Sequence, residues 1–91
     1  MDLTQLALHA SGETTHRGDP YFEFTYDYPQ VHHLVALLGI TNVEYREMDD
    51  RTIVTVIYAG EEEDVDFAVE PSAVAPFKTA VARYNPHFRR N

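Results

Sequence analysis

One stretch of the chain places apolar residues on both faces of an extended backbone. From Arg51 to Ala59, Thr52, Val54, Val56 and Tyr58 fall on one side and Arg51, Ile53, Thr55 and Ile57 on the other, with no glycine or proline. β-Branched and aromatic residues suit a pleated surface, and apolar character on both faces predicts a central strand covered on each side. Residues 43–48 precede it across the acidic turn Asp49-Asp50. Residues 65–69 follow the loop Gly60 to Asp64, with Val65, Phe67 and Val69 alternating against Asp66 and Ala68. These runs predict a meander of strands 43–48, 51–59 and 65–69.

Tyr21 to Tyr28 alternates as well, with Phe22, Phe24, Tyr26 and Tyr28 on one side and Tyr21, Glu23, Thr25 and Asp27 on the other. A half-buried strand is expected, its aromatics forming a core wall in preference to a stacking platform for bases or sugars, because Glu23 and Asp27 oppose a polyanion.

Helical periodicity is read in three places. Leu3, Leu6, Ala7 and Ala10 follow an i, i+3, i+4, i+7 stripe after Asp2 and Gln5, a capping pair, and predict a helix over 2–11; Thr4, Leu6, Leu8 and Ala10 also alternate as an edge strand would. Val31, Leu34, Val35 and Leu38 form a second stripe behind Asp27, Pro29 and Gln30, with Gly39 as terminator, and predict a helix over 28–38. Val74, Phe77, Val81 and Tyr84 predict a third over 74–84, beyond which residues 85–91 read as a loose basic tail. The segment Glu13 to Asp19 reads as a polar loop.

The expected fold is therefore α+β, in element order αβαβββα. It is a two-layer domain in which a four-stranded, mainly antiparallel sheet, built on the 43–48, 51–59, 65–69 meander, is packed by two or three helices. At 91 residues the chain suits a single small domain over 1–91.

Composition narrows the chemistry. No cysteine occurs, which removes disulfides, thiolate metal sites and cysteine nucleophiles. Residues 1–5 lack the basic region and long apolar core of a secretion signal, and Leu34 to Leu38, the longest apolar run, is too short to span a bilayer. A cytoplasmic protein with no membrane association is the expectation. The net charge is −8. All 15 acids lie in residues 1–70, against Arg17, Arg46 and Arg51, whereas residues 71–91 carry Lys78, Arg83, Arg89 and Arg90 and no acid.

Motifs for catalysis are weak. Gly12 and Gly18 enclose five residues, and the Lys-Ser/Thr of a phosphate-gripping loop is missing. Arg17-Gly18-Asp19 spells an adhesion-type tripeptide, too short to be specific. His32 and His33 are adjacent, so on a helix they diverge by about 100° and cannot share a metal. No spacing obliges His9, His16, His32 or His33 to form a site, and neither a metal nor a cofactor is implied.

The strongest charge feature is Glu61, Glu62, Glu63, Asp64, Asp66 and Glu70. Its spacing lacks the alternation and glycine of a calcium loop. A solvated turn that discourages edge aggregation is the plain reading; partner recognition is the functional one. The leading functional expectation is a small acidic, non-enzymatic interaction module, of inhibitor, immunity or regulatory type, docking those six residues on a basic protein partner. The alternatives are a small enzyme or ligand-binding protein whose site is completed at a homodimer interface, and nucleic-acid binding through the basic C-terminal face. The overall charge opposes the latter.

Overall fold

The computed structural model describes residues 2–89. Six strands precede one α-helix: β1 (His9–His16), β2 (Asp19–Tyr26), β3 (Val31–Ala36), β4 (Ile40–Glu47), β5 (Thr52–Tyr58), β6 (Val65–Val69) and α1 (Val74–Tyr84). The 3-10 turns Pro71–Ala73 and Pro86–Arg89 flank the helix. The strands form two three-stranded antiparallel sheets, in orders β1-β2-β3 and β4-β5-β6. One isolated parallel bridge, Leu8 with Val69, lies between them.

This architecture overturns the expected four-stranded sheet packed by two or three helices: the fold is mostly strand, with a single α-helix. Two predicted helices are absent. In the 2–11 segment the capping chemistry is real, since Asp2 Oδ1 accepts the Thr4 amide at 2.9 Å and the Thr4 hydroxyl at 2.7 Å. It closes one turn only. The chain then pairs with β6, the Leu8 amide donating to the Ala68 carbonyl at 3.0 Å and the Glu70 amide to the Leu8 carbonyl at 2.9 Å. An extended backbone here satisfies β6's free edge, a tertiary gain that a local cap cannot match.

The 28–38 segment is a turn followed by β3. Val31, His33 and Val35 face the interior in register with Tyr26, Phe24 and Phe22. Leu34, central to the helical stripe, is exposed. The expected polar loop at 13–19 is instead the end of β1, a two-residue turn and the start of β2. Arg17 and Gly18 have φ of 53° and 85°, the left-handed pair that matches a tight hairpin to strand twist. The adhesion-like tripeptide is thus turn chemistry.

The sheets bury their inner faces against each other and against α1. Phe22, Phe24 and Val35 come from the first sheet, Val54, Val56, Phe67 and Val69 from the second, and Phe77, Ala80 and Val81 from the helix. Phe24 joins the layers, its ring centroid lying 5.0 Å from that of Phe67 and 5.4 Å from that of Phe77. Such tilted ring pairs add to burial itself. The helix bridges both sheets at its polar margin: Arg83 pairs with Glu13 of β1, and Lys78 Nζ sits 4.7 Å from the Tyr45 ring centroid of β4. β5 lies between β4 and β6, matching the expectation for the two-faced apolar strand. Its outward Ile53 is covered too, because the N-terminal turn is fastened beside it, with Arg51 Nη1 donating to the Gln5 carbonyl at 3.0 Å.

Candidate functional site

The six acidic residues singled out in the sequence do not form one surface. Glu61, Glu62, Glu63 and Asp64 line an exposed hollow of about 540 Å³ in the β5–β6 connection, together with Gly60 and Val65. Asp66 lies on the outer face of β6, opposite Thr55, whose hydroxyl donates to Asp66 Oδ1 at 2.8 Å. Glu70 is past the far end of β6, some 17 Å from Val65 at the usual rise per residue. There its Oε2 lies 2.9 Å from His9 Nδ1.

Glu70 instead belongs to a second cluster at the opposite end of the sheet. Ala7, His9, Tyr26, Asp27, Tyr28, Asp50 and Glu70 line a cleft of about 460 Å³. Four separate stretches of chain converge on it, one of them running from the end of β2 into the β2–β3 turn. The chain entering β1 contributes Ala7 and His9, and β2 ends with Tyr26. The β2–β3 turn carries Asp27 and Tyr28, the β4–β5 turn Asp50, and the exit from β6 Glu70. The backbone bond between Leu8 and Glu70 holds two of these pieces together.

Within the cleft the His9 ring stacks on Tyr26, with centroids 5.7 Å apart and planes 3° from parallel. Glu70 fixes the imidazole from its edge. Tyr28 stands 91% exposed at the rim. Asp27, Asp50 and Glu70 supply three carboxylates, and His9 is the sole basic residue of the lining. Exposed aromatic surface ringed by carboxylates suits an ammonium or guanidinium group, which gains charge attraction and a ring face together.

A larger hollow of about 580 Å³ lies on the outer face of the second sheet. Arg46 and Arg51 there offset Glu44 and Asp66, so its lining has no dominant sign. Arg51 Nε is buried without hydrogen-bond geometry to any group, and its nearest partner is Asp50 Oδ1 at 3.5 Å, a loose ion pair.

The remaining histidines disperse. His16 meets the edge of Tyr21, His32 Nδ1 lies 3.1 Å from Glu23 Oε2, and His33 points into the core. Among the described residues no group of three or more His, Asp or Glu side chains could hold a metal ion. No helix among them is long and apolar enough to cross a membrane.

The cleft was missed in the sequence because His9, Tyr28 and Asp50 converge only when residues 9–16 and 31–36 are strands. The available signal was the aromatic and acidic alternation through Tyr26-Asp27-Tyr28, read there as core and helix cap. No family model matches the chain, and no curated protein or solved structure shows significant similarity to it.

Proposed function

We propose that the protein is a non-enzymatic interaction module that docks on a basic protein surface, through the cleft formed by His9, Tyr26, Asp27, Tyr28, Asp50 and Glu70. One observation carries this reading: an almost fully exposed tyrosine beside a partly buried one, within a ring of three carboxylates. Aromatic side chains in a concave site supply most interface affinity, and surrounding charge supplies steering and orientation. Glu61, Glu62, Glu63 and Asp64, at the other end of the sheet, extend the attractive field without sharing the contact. Their part is to accelerate encounter. This is the chemistry of an inhibitor, an immunity-type protein or a regulator that masks a basic site.

Recovery of partners from an extract of the native host, with and without nuclease, tests the reading. A single basic protein retained by the wild type, and lost with combined Asp27→Asn, Asp50→Asn and Tyr28→Ala substitutions, is the expected outcome. Recovery that depends on nucleic acid, or that survives those substitutions, contradicts it.

A further inference from the structure

Two adjacent histidines in β3 meet opposite surroundings. His32 turns outward, where Glu23 faces it at 3.1 Å. His33 turns inward, in register with Phe24, and its ring lies 4.8 Å from that of Phe67 in an edge-on arrangement. Its Nε2 is buried with no hydrogen-bond partner. The groups facing it are apolar or neutral: Phe24 from β2 with Phe22 and Tyr26 on its diagonals, Phe67 from β6, and Val31 and Val35 on its own strand. Tyr26 is the titratable member of that set, and it stacks on His9, which pairs with Glu70. Burial alone holds the His33 imidazole below its ordinary value of 6.5.

We propose that His33 makes β3 an acid-releasable strand, protonation of its imidazole loosening β3 and the adjoining Asp27–Gln30 turn from the core. An imidazolium at this position loses its hydration and gains no anion, and the edge-on phenyl ring does not replace water. β3 is an edge strand of its sheet, laddered to β2 alone. Two further bonds tether its end, Tyr58 donating from its hydroxyl to the Ala36 carbonyl and Leu37 from its amide to the Pro20 carbonyl.

The sign follows from where the proton binds. In the closed form His33 resists protonation, whereas in the opened strand it regains ordinary basicity. Opening is favoured as pH falls below about 6.5, and the effect levels off once the closed form also takes up the proton. The released turn carries Asp27 and Tyr28, so a partner held in the cleft would be discharged by acid. That consequence rests on the proposed binding role; the strand release does not.

Hydrogen exchange of the whole protein between pH 7 and pH 5, corrected for intrinsic rates, tests the proposal. Amide protection across Val31–Ala36 is expected to fall severalfold, with the onset below about 6.5, while β5 keeps its protection. The loss is expected to disappear in His33→Phe and to persist in His32→Gln. Equal loss in His33→Phe, abolition by His32→Gln, or pH-independent protection in the wild type overturns the proposal. Should His33→Phe fail to fold, NMR titration of the wild type decides. The His33 ring and the β3 amides must then shift with one midpoint, and separate midpoints overturn it.

Discussion

Asn85 does more for this fold than its position after the last helical turn suggests. It is 5% exposed, and every polar atom of its side chain is engaged. Nδ2 donates to the Leu37 carbonyl at 2.7 Å and to the Val81 carbonyl at 2.9 Å, while Oδ1 accepts the Ile40 amide at 3.2 Å. One side chain thus caps α1 and fastens the β3–β4 connection. Asn85→Ala strands the Ile40 amide and the Leu37 carbonyl, while the Val81 carbonyl keeps the backbone amide of residue 85, and a loss of about 2–4 kcal/mol is expected in urea unfolding. Tyr58 plays a parallel part, its hydroxyl donating to the Ala36 carbonyl at 2.7 Å. Burial, with the neighbouring Tyr21, pushes its phenol up to about 12, and burial does the same to Tyr45. The unfolded chain releases these protons near pH 10, so folded-state stability is expected to decline as pH rises from about 10 toward 12. Ultraviolet titration of the six tyrosines should show two ionising late. All six ionising together near their ordinary value would contradict the burial of Tyr45 and Tyr58.

At the level of elements, legibility followed the strength of side-chain alternation. β2, β5, β6 and α1 carry clear period-2 or helical patterns and lie close to where the sequence puts them. β3 hid because its inward series, Val31, His33 and Val35, contains a histidine, while Leu34 faces outward; the two exceptions together imitate a helical stripe. β1 hid because His9–His16 offers Ala10 as its one clearly apolar residue, and its extended form rests on pairing with β2, which no local pattern encodes. The cleft was illegible for the same reason, since its residues come from four segments brought together by those two strands. Substitutions separate the readings of β3. Leu34→Thr, on the exposed face of a strand, is expected to change stability by less than about 0.5 kcal/mol. A helix with Leu34 in its buried stripe would lose several times that. Phe24→Ala, removing the ring that joins both sheets to the helix, is expected to cost about 3–5 kcal/mol by thermal or urea unfolding.

The whole molecule distributes its negative charge to both ends of the second sheet, with Glu61 to Asp64 at one and Asp27, Asp50 and Glu70 at the other. Both ends are concave, and the second alone adds aromatic surface, from Tyr26 and Tyr28. Charge at either end should raise association rates and their salt sensitivity, whereas affinity should depend on the cleft. Neutralising Glu61, Glu62, Glu63 and Asp64 is therefore expected to slow association with a basic partner while leaving dissociation nearly unchanged. The most direct test of the cleft's role is a backbone amide NMR titration of the intact protein with a short lysine- and arginine-rich peptide at low ionic strength. The account predicts saturable shifts centred on His9, Tyr26 to Gln30, Asp50 and Glu70, weakened by salt and by Tyr28→Ala. Shifts confined to Glu61–Asp64, or no saturable shift at all, would contradict it.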